Sequence, residues 1–167
     1  DKDILEGGQI MANINVEYIN PFISAAQSVL KDFCHIEASL GKPYMKQAAY
    51  EGDLLAVLVG VTGVLRGQVI FTMQSVTACD IASHMMMGMA VPELNDMAKS
   101  AVSELSNMIL GNAATIFSTK NIALDITPPT LTQGTNLSFS VSDSKTICVP
   151  LNYEGHSLEI NIAIKGA

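Results

Sequence analysis

The first part of the chain carries a helical repeat of apolar residues over residues 17–33. Apolar side chains recur there about every 3.6 residues, which places them on one face of an α-helix. Pro21 lies near the start, where a first helical turn tolerates proline. The pattern predicts an amphipathic helix that ends before the segment SLGKP at 39–43. Its predicted core positions are Ile19, Phe22, Ile23, Ala26, Leu30 and Phe33.

Two later regions each carry a pair of strand-like apolar runs. Residues 54–61 and 67–74 are rich in β-branched residues and are joined by a short connection that contains Gly63. Such a pair is typical of an antiparallel hairpin. The last part of the chain, residues 146–165, repeats the arrangement around a turn at Glu154–Gly155. The sequence therefore predicts two buried hairpins.

Two further helices are predicted between the hairpins. The second helix should cover residues 76–87 and end at Gly88, a usual residue at a helix C-terminus. The third should begin near Pro92 and run to about Thr119. Residues 125–134 contain two prolines and a glycine and are predicted as a loop or an irregular edge. The apolar face predicted for the third helix is Met97, Ala101, Leu105, Met108, Ile109, Ile116 and Phe117.

A helix followed by a hairpin thus occurs twice, and the two copies are about ninety residues apart. We interpret them as duplicated α-β-β units that form one largely antiparallel sheet with long helices packed on it, an α+β fold. Residues 11–167 are predicted to be one domain, because this length suits a single core. Residues 1–10 differ in residue pattern from the rest and are expected to be a cloning remnant or a disordered tail.

Composition and charge argue against several classes of partner. Hydrophobic residues make up 49% of the chain and charged residues 15%, which is typical of a globular protein. The longest apolar run, residues 54–65, is shorter than the roughly 18 residues that cross a membrane. The net charge is −7 and no basic run is present, which argues against a nucleic-acid partner. Three widely spaced cysteines without a C-x-x-C pair favour a reducing compartment with buried thiols, so a cytoplasmic location is expected.

One polar row stands out in the third predicted helix. Steps of four, three and four residues align Ser100, Glu104, Asn107 and Gly111 on one side of a helix. A solvated helix surface is the ordinary explanation, because serine and glutamate are tolerated there. However, asparagine has better positions in caps and turns, and a glycine inside a helix costs roughly 1 kcal/mol relative to alanine. A polar pair beside such a gap indicates a surface on which another molecule docks.

At these residues the chain resembles a known family. The pattern Ser100-x3-Glu104-x2-Asn107 is similar to the Asp/Ser-x3-Glu-x2-Asn signature of the CheC/CheX/FliY family of chemotaxis phosphatases. The resemblance extends over nearly all of the chain from about residue 16 and is greatest to the single-domain CheX branch. The further segments that carry it are GKP at 41–43, VTGVLRGQVIF at 61–71, MMMGM at 85–89, GNAA at 111–114 and DITPPT at 125–130.

The resemblance implies a CheC-like or CheX-like fold and hydrolysis of the phosphoaspartate of a CheY-like response regulator. It implies that Asn107 positions the attacking water, since a carboxamide offers both a donor and an acceptor. Glu104 would accept a hydrogen bond from the active-site lysine of the response regulator, and Ser100 and Gly111 would play supporting roles. No cofactor of its own is expected, because the magnesium ion would belong to the acidic pocket of the partner.

The resemblance also suggests a homodimer formed by edge-to-edge pairing of sheets. The terminal strand LEINIAIKG, residues 158–166, is apolar and partly alternating, and we expect it to be an edge that invites pairing. The alternative to an enzyme is a non-catalytic module of the same fold that binds a response regulator or acts as a scaffold. Intact Glu104 and Asn107 favour the enzyme.

Three other groups of residues were considered as sites. Glu17-x2-Asn20 repeats part of the motif at the first helix, but Asn13 precedes it and Pro21 follows, so helix capping is the preferred interpretation. The methionines at 85–89 fill gaps in apolar cores more often than they bind copper. Cys34-His35 lacks an identifiable third partner for a cysteine nucleophile.

Overall fold

The structure, a computed structural model, describes residues 16–46, 50–139 and 146–166. The prediction for residues 1–10 lies outside the described residues. A short 3₁₀ turn at Val16–Tyr18 precedes the first α-helix. The helices are α1 (Asn20–Cys34), α2 (Ser75–Met85) and α3 (Asp96–Thr119). The strands are β1 (Ser39–Leu40), β2 (Tyr44–Lys46), β3 (Asp53–Gly63), β4 (Leu65–Gln74), β5 (Leu124–Ile126), β6 (Thr130–Thr135), β7 (Thr146–Tyr153) and β8 (His156–Gly166).

The described strands form a single antiparallel sheet, which confirms the predicted α+β class. Its order is β1-β7-β8-β4-β3-β5, with β2 also paired to β7 and β6 also paired to β3. Both predicted hairpins are present, β3–β4 and β7–β8, and they lie side by side because β4 pairs with β8. The second hairpin turns at Glu154 and Gly155, whose φ angles of 44° and 79° are left-handed, as a tight hairpin turn requires.

The arrangement of the short strands supports the interpretation of two repeated units. β1 and β2 precede the first hairpin in the chain but pair with β7 of the second. β5 and β6 precede the second hairpin but pair with β3 of the first. Each half therefore completes the sheet edge of the other, and the antiparallel β4–β8 pair lies between them. Two copies of an α-β-β unit related by an approximate two-fold axis produce this pairing.

The helices pack on one face of the sheet. Alternate residues of each long strand join one cluster with the inner faces of α1, α2 and α3, as the two-residue period of a strand requires. The rings of Phe22 and Phe117 meet edge-to-face with centroids 5.3 Å apart, which holds α1 against α3. Within the part of the chain that the structure describes, no helix is both long and apolar enough to span a membrane.

Helix α3 begins later than predicted. The Asn95 side chain accepts a hydrogen bond from the Ala98 backbone N–H at 2.9 Å and caps the first turn. Pro92 therefore lies in the preceding connection and not inside the helix, so the predicted start was wrong. Because asparagine can accept from the free N–H groups of a first turn and proline cannot, the cap fixes the boundary at Asp96. The predicted end at Thr119 is confirmed.

The buried face of α3 agrees with the predicted one only in part. Leu105, Ile109 and Phe117 are buried as predicted, and Met108 and Ile116 are partly buried and pack against the core. Met97 is 63% exposed, and Ala101 and Met108 are only half-buried. Small residues also lie on the buried face, and the buried hydroxyl of Ser106 donates to the Val102 carbonyl at 3.0 Å. Close packing against α1 and α2 selects this face, because small side chains let helices approach. The buried residues of α3 are Ala98, Val102, Leu105, Ser106, Ile109, Leu110, Ala113 and Phe117.

The predicted role of the terminal strand is wrong. β8 is not an edge, because it pairs with β7 on one side and with β4 on the other. Its alternate apolar side chains lie in the middle of the sheet, on the face that packs against the helices. Residues 125–134, in contrast, form the irregular edge that was predicted: β5 and β6 are short and both lie along β3.

Smaller differences concern single residues. Phe33, predicted as core, is 55% exposed because it lies on the outer side of the last turn of α1. Of the three free thiols that were predicted to be buried, Cys34 and Cys148 are buried, whereas Cys79 is half-exposed. Helix α2 covers Ser75–Met85 and is followed by a turn in which Met87 and Gly88 have positive φ angles.

Candidate active site on helix α3

The predicted polar row is present on the surface of α3. All four residues lie within the 24-residue helix, and the helical repeat brings them to one side. Ser100 and Glu104 are exposed, and Asn107 and Gly111 are half-buried. The carboxamide of Asn107 is thus accessible from outside and does not belong to the apolar cluster under the helix.

The two polar side chains at the centre of the row are available to another molecule. Among the described residues, neither Glu104 nor Asn107 makes a side-chain hydrogen bond or an ion pair. Their Cβ atoms are three residues apart on one helix, a spacing at which side chains are neighbours at roughly 5–6 Å. A carboxylate and a carboxamide without internal partners can therefore act together on one bound group.

Gly111 leaves open space at the end of the row. A Cβ atom built on it would meet no atom within 4 Å, so internal packing does not require a glycine there. The helix itself would be more stable with alanine at this position. Thr115 donates its hydroxyl to the Gly111 carbonyl at 3.1 Å, and the backbone stays helical. The glycine keeps this part of the surface flat, so that another backbone can come close.

The cavities of the protein are built by other elements. A cavity of about 530 Å³ is lined by residues that include Leu54, Thr72 and Glu159, near the ends of β3, β4 and β8. Another of about 470 Å³ lies between α2 and the connection to α3. No residue of the polar row lines either cavity. The row lies on the outer surface of α3, and it suits a role in which the helix contacts the pocket of a partner.

The comparisons with known proteins agree with the family resemblance and with the fold. The family model described as "Chemotaxis phosphatase CheX" matches residues 55–152. The chain belongs to this family. The CheY-P phosphatase CheX of Thermotoga maritima is 30% identical over 155 residues, which are 91% of this chain and 98% of that protein. The resemblance found in the sequence is therefore confirmed.

Solved structures of relatives show the same fold. CheX in the CheX-CheY-BeF3-Mg²⁺ complex from Borrelia burgdorferi is 34% identical, has a TM-score of 0.78 and aligns with 90% of this chain and 99% of its own. A CheC-like superfamily protein from Shewanella sp. PV-4 is 28% identical and has a TM-score of 0.82, with 92% of this chain and 100% of that chain covered. The predicted CheX-like architecture is confirmed.

The partial motif at the first helix does not form a second exposed site in this CheX-family chain. Asn20 is the first residue of α1, and Ile19 occupies the N-cap without a side-chain hydrogen bond, so Asn20 does not cap the helix. The Oδ1 atom of Asn20 is buried without a hydrogen-bond partner, and Pro21 is buried beside it. A carboxamide oxygen turned inward cannot orient a water for a partner, in contrast to Asn107.

Cys34 does not form a nucleophilic site either. Its side chain is fully buried, and this burial raises the pKa of the thiol to about 11. The thiol therefore stays protonated near neutral pH, whereas the thiolate is the reactive form. The described residues contain no group of three or more His, Cys, Asp or Glu side chains arranged to hold a metal ion.

A polar cluster on α2 serves to hold the second hairpin. The Tyr153 hydroxyl donates to Asp80 Oδ2 at 2.8 Å, and His84 Nε2 lies 3.4 Å from the same oxygen. His156 stacks on the Tyr153 ring with centroids 5.1 Å apart, and its Nδ1 lies 2.8 Å from the hydroxyl of Thr77. These contacts join α2 to the β7–β8 turn, so their role is structural.

Sequence reasoning missed one feature of the site surface. Met97 and Ala101 were assigned to the core, but Met97 is exposed and Ala101 is only half-buried next to the polar row, whereas Met108 is half-buried and packs against the core. Their apolar character gave the wrong signal, because apolar residues are expected inside. The available clue was their spacing, which places Met97 and Glu104 seven residues apart and therefore on the same side of the helix.

Proposed function

We propose that the protein hydrolyses the phosphoaspartate of a CheY-like response regulator in chemotaxis or related two-component signalling. The chain belongs to a family of phosphatases, so it is a hydrolase. The relative from Thermotoga maritima is named a CheY-P phosphatase, and the Borrelia burgdorferi relative was crystallised with CheY, BeF3 and Mg²⁺. The observation that carries the proposal is the pair of an exposed Glu104 and a half-buried Asn107 on one side of the helix, whose side chains have no partners among the described residues.

Asn107 is proposed to place the attacking water. An acyl phosphate is already activated, so the catalyst mainly needs to hold a water in line with the scissile bond. The carboxamide can accept a hydrogen bond from the water and donate one to the phosphoryl group without ionising. The water oxygen attacks phosphorus, the bond to the aspartyl oxygen breaks, and the aspartate leaves as a carboxylate with inorganic phosphate as the other product.

Glu104 is proposed to set the register of docking. An exposed carboxylate one turn before Asn107 can accept a charge-assisted hydrogen bond from the active-site lysine of the response regulator. That bond would fix the helix along the pocket, so that the carboxamide reaches the phosphoryl group. Ser100, one turn earlier, would support the same contact, and Gly111 would let the backbone of the partner approach.

The other properties that we propose concern the surroundings of the reaction. The magnesium ion belongs to the acidic pocket of the response regulator, and the phosphatase adds no cofactor of its own. We expect the reaction in the cytoplasm, where response regulators are phosphorylated. We also propose a homodimer on the basis of the resemblance to CheX. Because β8 is interior, pairing of sheets would involve the outer strands β1, β2, β5 or β6.

The experiment follows the decay of a phosphorylated cognate response regulator in the presence of Mg²⁺. Asn107→Ala should keep binding and lose most turnover, since it removes the group that orients the water. Glu104→Ala should weaken both binding and turnover. Asn112→Ala is the matched control, because Asn112 is exposed on the same helix about 140° around the axis from Asn107.

Two outcomes would count against the proposal, each in its own way. Turnover by Asn107→Ala at the wild-type rate would exclude the water-positioning role. If the wild-type protein binds the phosphorylated regulator but does not speed its decay at stoichiometric amounts, the alternative is supported, namely a non-catalytic response-regulator-binding module.

A further inference from the structure

Three apolar residues form a strip along the polar row of α3. Met97 is 63% exposed, and Ala101 and Met108 are half-buried, with Met108 also packed against the core. Seven residues make almost two full helical turns, so Met97 lies in line with Glu104, and Ala101 lies in line with Met108. The second line is displaced from the first by roughly 40°. We call these three residues the methionine flank.

The flank is close to the proposed reacting groups. With a rise of about 1.5 Å per residue, Met97 lies roughly 10 Å from Glu104 along the helix axis, and Ala101 lies roughly 5 Å from it. Met108 directly follows Asn107 in the chain. A domain that covers Glu104 and Asn107 and extends over one more helical turn also covers Ala101 and Met108. Extension over two turns towards the start of the helix brings it to Met97.

The area needed for binding also exceeds what the polar row provides. Specific protein complexes bury on the order of 800 Å² on each partner, and their centres are enriched in aromatic residues and methionine and depleted in charged residues. Three polar side chains and a glycine cannot supply such an area. The methionine flank is the adjacent apolar surface of the same helix, and flexible methionine side chains adapt to the shape of a partner.

The fold gives no reason for the exposure of Met97. The core of α3 is filled by other side chains, and Met97 stands outside it in the first helical turn. We propose that Met97, Ala101 and Met108 are the apolar contact surface for the phosphorylated receiver domain, with Met97 as the main contact. This inference rests on the proposed function, because it assigns the partner from the position of Glu104 and Asn107.

The chain offers a matched control for Met97. Met89 is exposed to nearly the same extent, 62% against 63%, but it lies in the connection between α2 and α3 and not on the row. Substitution of either residue removes the same surface side chain, so general effects of losing an exposed methionine appear in both. A difference between the Met97 and Met89 variants therefore reports the position of the side chain on α3.

The experiment compares Met97→Ala and Met97→Glu with Met89→Ala and Met89→Glu. We expect Met97→Ala to raise the KM for the phosphorylated regulator, and the Kd of the complex, by about five- to tenfold, and Met97→Glu to raise them further. The value of kcat should change less than twofold, because the reacting groups are untouched. The Met89 variants should match the wild type. Thermal unfolding checks that all four variants are folded.

Each alternative outcome has a distinct meaning. Wild-type KM and Kd for Met97→Glu would overturn the inference even if the enzyme is active. If the wild-type protein binds the regulator but has no phosphatase activity, the proposed function fails, and the Kd of Met97→Glu still tests the flank. If Met97→Glu instead changes the sedimentation of the free protein from dimer to monomer, the flank is a contact between copies of this chain, which also overturns the inference.

Discussion

Substitution of Gly111 by alanine should make the protein more stable and less active. The residue lies in the interior of the 24-residue α3, and the space that a Cβ atom would occupy is open. A glycine in such a position costs roughly 1 kcal/mol relative to alanine, since it loses more backbone entropy on folding. Gly111→Ala should therefore raise the free energy of unfolding by about 0.5–1 kcal/mol. For a chain of this size the melting temperature should rise by about 2–4 °C per kcal/mol.

The effect on activity should have the opposite sign. A methyl group at residue 111 projects from the row, one turn beyond Asn107, where we propose that the backbone of the response regulator comes close. The value of kcat/KM for the phosphorylated regulator should fall at least tenfold, which corresponds to about 1.4 kcal/mol. Gly111→Leu should lower it further. The assays are urea unfolding of each variant and decay of the phosphorylated regulator under saturating and limiting conditions.

The two measurements refute different parts of the reasoning. An unchanged or lower stability of Gly111→Ala would show that the open space or the helical propensity was misjudged. A higher stability with wild-type kcat/KM would remove the docking role of the glycine. Asn112→Ala is the control, because the neighbouring residue is exposed on the same helix, and its substitution should raise stability slightly without affecting turnover.

The remaining predictions concern other glycines and the thiols. Gly67→Ala should destabilise the protein strongly, in contrast to Gly111→Ala, because Gly67 has a φ of 148° and a Cβ atom there would collide with the Ala163 carbonyl. We expect loss of soluble folded protein or a large drop in the urea midpoint. A wild-type urea midpoint would contradict this prediction. At pH 8 a thiol reagent should modify Cys79 before the other two thiols, because its side chain is half-exposed, although burial raises the pKa of this thiol as well. Cys34 and Cys148 should react only after denaturation, because both are buried and burial raises the pKa of Cys34 to about 11. Rapid modification of more than one thiol in the native protein would contradict the burial of these two residues.

Local features could be predicted from the sequence because they depend on near neighbours along the chain. The helical period alone aligned Ser100, Glu104, Asn107 and Gly111, and the structure places them on one exposed side of α3. The hairpin turn at Glu154–Gly155 followed from Gly155, because glycine adopts left-handed backbone without a steric penalty. The duplicated order of helix and hairpin was visible as well.

The order of the strands could not be predicted in the same way. β8 has the composition of an exposed edge or of an interior strand, because apolar alternation satisfies either position. Its neighbours, β4 and β7, are determined by how the two hairpins meet. The exchange of short strands between the halves involves pairs more than 60 residues apart, such as Leu58 with Thr130, and no local pattern specifies them.

By itself the sequence determined the type of each long element and the motif that faces outward from α3. Only the tertiary structure decided which residues beside that motif are exposed. A shift of one residue turns a helix by 100°, and α3 has apolar residues on two adjacent sides, so the pattern allowed either Met97 or Ala98 to face the core. Packing against α1, α2 and the sheet favoured the small residues and left Met97 beside Glu104 on the surface.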